Sequence, residues 1–113
     1  MTEGKTTISQ EVLQSITCLT ALHVPGVSRM YTSGTSVNRF FQRRSSEGVE
    51  LSVENDAVYA DLHLILKNDF NIREVSRNIQ LEVARAISEM VGMAVGRVNI
   101  HIEDIDYPNE TET

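Results

Sequence analysis

The chain has 113 residues, 41% hydrophobic and 23% charged, with a formal net charge of −6. That length fits one domain around one core, and the acidic balance argues against a general nucleic-acid coat. Cys18 is the single cysteine, so no internal disulfide forms and a reducing setting is expected. No apolar run approaches the roughly 18 residues that a membrane span needs, and Met1–Thr7 is polar, without a signal-peptide core. The expectation is a cytoplasmic protein, peripheral at most to the inner face of a membrane.

Thr6–Ile8 reads as a short strand. Ser9 is a good N-cap for a helix over Gln10–Leu22, with Glu11 in its first turn. Ile8 and Leu13 are spaced for a hydrophobic staple, and Val12, Leu13, Ile16, Leu19 and Thr20 mark the face expected to be buried. Cys18 reads as a small boundary residue. His23 precedes the stop Val24-Pro25-Gly26 and is placed to cap the helix end. Val27–Tyr31 is a short strand. The stretch Thr32–Glu47 has no periodic pattern and is long for a connection, the mark of a mobile loop or a binding loop.

After Gly48 the period becomes two. Val49, Leu51 and Val53 alternate with Glu50, Ser52 and Glu54. Asn55-Asp56 makes a two-residue hairpin turn. Val58, Ala60, Leu62, Leu64 and Leu66 then alternate with Tyr59, Asp61, His63, Ile65 and Lys67. This register pairs Val53 with Val58 and Leu51 with Ala60 on one face, and sets Glu50 against Asp61 on the other. Asn71 and Glu74 form a capping-box pair for a helix over Ile72–Val91, with Phe70 and Val75 as its staple and Gly92 as its stop. Ile72, Val75, Ile79, Val83, Ala86, Ile87 and Met90 form its apolar stripe. The last strand, Val95–Ile105, turns Val98, Ile100 and Ile102 inward and Asn99, His101 and Glu103 outward. The predicted fold is α+β: a two-layer sandwich with one mostly antiparallel or mixed sheet of about four strands and two helices on one face. The order is (β)αβ–loop–ββαβ. Residues 1–106 form the domain and 107–113 an acidic, disordered tail.

Three stretches carry a family resemblance: Val24-Pro25-Gly26-Val27 after the first helix; Gly48–Val53 leading into Ala57–Ile65; and Asn71–Gln80 continuing to Met90-Val91-Gly92 and Arg97–Ile102. The chain resembles the alkaline-shock-protein family of envelope stress response proteins, widespread in Gram-positive bacteria, over roughly residues 4 to 106. It departs at Asn68-Asp69-Phe70, where the family usually has a Tyr-Gly-like turn. The resemblance implies a small cytoplasmic, non-enzymatic protein of envelope homeostasis. It implies membrane association through partners, and self-association, and it supplies no catalytic residues.

The residues themselves add little chemistry. There is no Gly-x-Ser-x-Gly elbow, no dinucleotide or Walker loop, and no RNP-like aromatic pair. His63 and His101, with Asp61 and Glu103 near them, share an outer face if their strands are neighbours, yet no local ligand spacing supports a metal. No cofactor is expected. Arg29–Ser46 holds four arginines and no acid, whereas Glu103–Thr113 holds five acids and no base. One reading folds this loop back so that Phe40 and Phe41 close the edge of the core; the other makes Arg39, Phe40, Phe41, Arg43 and Arg44 the candidate contact for a partner or membrane. Four arginines at an anionic leaflet give about 1 kcal/mol each and two inserted Phe roughly 1.5–3 kcal/mol each. One copy would therefore bind weakly, and a homo-oligomer or a membrane-anchored protein partner is expected, with no nucleic acid. The alternative is a nucleic-acid-binding or regulatory module using the arginines of 29–46.

Overall fold

The computed structural model describes residues 2–32 and 48–108. Helix α1 spans Gln10–Leu22 and is followed by β1 (Val27–Met30), β2 (Val49–Glu54) and β3 (Ala57–Lys67). Helix α2 spans Ile72–Ala86, continues as one π turn over Ile87–Val91, and leads into β4 (Ala94–Asp106). Thr6–Ile8, expected as a strand, has no regular structure. Ile8 instead lines a groove with Leu13, Val53, Val91 and Met93.

β3 is the centre of the sheet. β4 runs parallel along all of it, from Ala57↔Ala94 to Lys67↔Asp106. A strand has two edges, so β1 and β2, both antiparallel to β3, must share the other one end to end. His63 marks the joint: its carbonyl accepts from Tyr31 N at 2.8 Å and its N–H donates to Gly48 O at 2.7 Å. The hairpin has the expected register, with Val53↔Val58, Leu51↔Ala60 and Glu50↔Asp61. Asn55 and Asp56 turn it at φ 52° and 65°, the left-handed pair that a type I′ turn requires.

The helices lie on one face. Val49, Leu51, Val58, Ala60, Leu62, Leu64 and Leu66 from the sheet meet Leu13, Ala21, Val75, Ile79, Val83 and Ile87 from the helices in a single core. Both caps form as read: Ser9 accepts from Val12 N, and Asn71 accepts from Glu74 N at 2.9 Å. Phe70 and Val75 meet over Gly26, where a Cβ would lie 2.7 Å from Val75 and 2.9 Å from Phe70. His23 Nδ1 lies 2.7 Å from Leu19 O and closes the end of α1.

Two buried faces differ from the sequence reading. On α1 the covered residues are Leu13, Gln14, Thr17 and Ala21, while Val12 and Leu19 are exposed. The helix packs against α2 as well as the sheet, and a stripe with Thr17 and Ala21 permits closer approach than bulky side chains. Thr17 is satisfied there by donating to Leu13 O at 2.8 Å. On α2 the buried stripe is Val75, Ile79, Val83 and Ile87; Ile72 and Met90 are exposed. The π turn is wider than an α turn, so Val91 rather than Met90 returns to the core. Val53, expected inward, is also exposed near the end of β2.

Candidate functional site

Arg39, Phe40, Phe41, Arg43 and Arg44 lie outside the described residues. The structure does fix where their segment joins the sheet: the chain departs after β1 at Tyr31 and returns at Gly48, beside His63. Gly48 has φ +83°, and a Cβ there would lie 2.8 Å from Tyr31 O and 2.9 Å from His63 O. Glycine is needed at that return point for both conformation and space.

The face of the sheet opposite the helices, which no described element covers, carries an ordered polar ladder on β3 and β4. His63 Nδ1 lies 2.7 Å from Glu103 Oε2, and His101 Nε2 lies 2.9 Å from Asp61 Oδ1. Asn99 Nδ2 also donates to Asp61 Oδ1, at 3.1 Å. The two imidazoles stack with centroids 4.6 Å apart and planes 13° from parallel. The hydrogen bond from His101, then that from Asn99, holds the Asp61 carboxyl below the usual aspartate range. These contacts also answer the Glu50–Asp61 pairing, because Asp61 turns to donors on β4. Each histidine addresses a separate carboxylate, so the four side chains do not converge on one point. Among the described residues no group of three His, Cys, Asp or Glu could hold a metal.

A second contact ties the two sides of the sheet. Asp106 at the end of β4 accepts from Ser28 Oγ at 2.5 Å and from Arg29 Nε at 3.1 Å and Nη2 at 3.2 Å. Ile65 lies between them in register, paired with Arg29 on one side and Asp104 on the other. This explains why Ile65, on the outer face by alternation, is only 4% exposed. The Arg29 guanidinium, then the Ser28 hydroxyl, hold the Asp106 carboxyl below its ordinary range. The sequence placed Arg29 in the basic block and Asp106 in the acidic one. Opposite blocks can neutralise each other within one molecule or meet between molecules; the contact of Arg29 with Asp106, 77 residues apart, is of the first kind.

Burial pushes the Cys18 thiol up, which makes it a poor nucleophile. Among the described residues no helix is long and apolar enough to cross a membrane. A groove of about 520 Å³ runs between the end of α1 and α2, lined by Leu19, Thr20, His23, Val24, Asn78 and Glu82.

Residues 1–107 match the alkaline shock protein 23 family, which has a cell envelope-related function. The protein Spy1535 of Streptococcus pyogenes serotype M6 is 33% identical over 103 residues, covering 90% of this chain and 79% of its own. YloU of Bacillus subtilis strain 168 is 26% identical over 112 residues, covering 94% and 92%. Among solved structures, a MamM CTD aligns with a TM-score of 0.53 at 14% identity over 85% of this chain and 99% of that one. A nickel form of a MamM CTD variant aligns equally well, with a TM-score of 0.53 at 13% identity, over 84% and 98%. At such identity the likeness shows a shared α+β fold and nothing about ligands. The family match over nearly the whole length and the streptococcal relative agree with the resemblance read from the sequence: the chain belongs to the alkaline shock protein 23 family, whose role is related to the cell envelope.

Proposed function

We propose that the protein is a non-enzymatic interaction module that works at the cytoplasmic face of the membrane, through contacts with a membrane-anchored protein and with other copies of itself. One observation carries this reading: the helices cover one face of the sheet, and on the other, which no described element covers, Asp61, His63, Asn99, His101 and Glu103 form an ordered polar surface. Side chains already fixed by one another lose little rotamer freedom on binding, which favours recognition by a protein surface. The segment that contains Arg39, Phe40, Phe41, Arg43 and Arg44 has its described flanks beside His63, and in this reading its positive charge and apolar side chains are the anchors for the partner.

The test is co-sedimentation with native membranes, comparing wild type with Phe40→Ser combined with Phe41→Ser. Wild type is expected to pellet with intact membranes and to stay in the supernatant with vesicles of extracted lipid, and the double variant to pellet less. Equal partitioning to the supernatant with both preparations overturns the membrane reading. Binding to RNA that falls steeply with salt, with none to membranes, would replace it with the nucleic-acid alternative. Elemental analysis of untagged protein is expected to find no stoichiometric ion; a full-occupancy metal lost on replacing His63 or His101 would refute the cofactor-free reading.

A further inference from the structure

β4 has 13 residues, and among the described residues β3 is its one strand partner. Among the described residues its other edge therefore has no strand partner. Proteins usually blunt such an edge with proline, bulges, charge or cover. Here the β3–β4 register shifts at Gly96 and at Glu103. Between the shifts lies a regular run, Arg97–Ile102, without proline. Among the described residues one side chain hydrogen-bonds to the backbone of this run: Gln80, whose Nε2 donates to Val98 O at 2.9 Å. A carbonyl has two lone pairs, so this contact does not close the edge.

We propose that this edge pairs antiparallel with the same edge of a second copy, around a two-fold axis at Ile100. The occupant is fixed by the self-complementarity of the run. With Ile100 on the axis, Arg97 falls opposite Glu103 of the second copy and Asn99 opposite its His101, all on the outer face. Val98 falls opposite Ile102 of the second copy on the helix face. Symmetry makes each contact twice. A slip of one residue would set the apolar side chains against the polar face. A slip of two in one direction sets Arg97 opposite a histidine and Ile102 opposite Gly96. In the other direction it sets His101 opposite its own copy and Val98 opposite Asp104. Only the central register matches charge with charge and apolar with apolar. Arg97 has no carboxylate partner of its own among the described residues. Glu103 binds His63 through Oε2 and keeps Oε1 for it. The product is one continuous sheet, with all four helices on one side and the two polar ladders side by side on the other.

The proposal goes beyond the membrane reading and stands without it, since a dimer that ignored membranes would leave it intact. The test is sedimentation equilibrium of the full chain, up to roughly 1 mM, the weak end of specific association. It compares wild type, Arg97→Glu, Glu103→Arg and the two combined, with circular dichroism to confirm folding. Wild type is expected to show a monomer–dimer equilibrium. Each single reversal should raise the dissociation constant about tenfold or more, and the combined reversal should restore it to within about threefold. Hydrogen exchange of wild type gives a second readout that needs no variant: amides of Arg97–Ile102 should slow with protein concentration, while those of β2 should not. A wild type monomeric throughout, an unchanged Arg97→Glu, a combined variant as weak as the singles, or protection that does not depend on concentration overturns the proposal.

Discussion

Replacing Ile79 by alanine tests whether the α2 stripe holds the two layers together. Ile79 is 0% exposed, between Val75 at 3% and Val83 at 0%. The change removes three buried carbons, about 2.4 kcal/mol of transfer free energy at about 0.8 kcal/mol each. A cavity term of about 24 cal/mol per Å³ adds to this where the surroundings cannot collapse. The helix is held at its start by the Asn71 cap, at its middle by Gln80 on Val98, and at its end by the left-handed Gly92, so collapse is restricted. The expected loss is about 3–4 kcal/mol, within the roughly 2–5 seen for such changes. It is a large part of the about 5–15 kcal/mol that holds a domain of this kind. Urea denaturation followed by circular dichroism should show a lower midpoint with an unchanged slope. Leu81→Ala is the control: Leu81 is 61% exposed on the same helix, and its loss should stay within about 0.5 kcal/mol. If Ile79→Ala and Leu81→Ala shift the midpoint alike, the helix is not seated on the sheet by this stripe.

Gly48→Ala is expected to destabilise by about 1–3 kcal/mol, from the positive φ and the two carbonyl oxygens that meet the added Cβ; a thermal melt within about a degree of wild type would contradict this. Acid should weaken the fold through Asp61 and Asp106, whose carboxyls are held below the ordinary value in the folded chain. The stability they lend is full above the unfolded value near 3.8 and is lost as pH falls through the lower folded values. The urea midpoint of wild type should therefore fall more steeply from about pH 5 to about pH 3 than that of Asp106→Asn; parallel curves would remove Asp106 from the account.

What the sequence made legible follows from how local each signal is. The β2–β3 hairpin was readable because a period of two and a turn of Asn55-Asp56 determine register together. The caps at Ser9 and Asn71 were readable because each partner lies three residues away. The face of α1 was not, because hydrophobicity favoured Val12 and Leu19 over Thr17 and Ala21, whereas packing two helices and a sheet together selects for small size. Strand order was not legible either. Nothing in residues 27–30 or 49–54 says that β1 and β2 share one edge of β3, or that β4 takes the whole of the other. The His63–His101 stack followed from that order, and only the common outward parity of the two residues pointed to it.

Strand order also bears on how weak contacts add up. The segment holding Arg39, Phe40, Phe41, Arg43 and Arg44 joins the sheet at the β1–β2 edge, and the open edge is β4, on the other side of β3. The joining points and the β4 edge therefore lie on opposite sides of β3. Pairing through β4 would place the joining points of two such segments at opposite margins of one sheet, five strand spacings or about 24 Å apart. The three arginines and two phenylalanines of a single segment offer at most about 6–9 kcal/mol before its own ordering is subtracted, about the level of a micromolar contact, which needs about 8.2 kcal/mol. Two segments on one rigid sheet turn the second contact into an intramolecular event, and avidity can then exceed either affinity by roughly 10²–10⁴ without any new interaction. A reversal at Arg97 that prevents pairing should then weaken membrane retention as well, although Arg97 lies across β3 from the points where the segment joins the sheet. Membrane retention unchanged in a proven monomer would show that a single copy suffices, and that the two surfaces act independently.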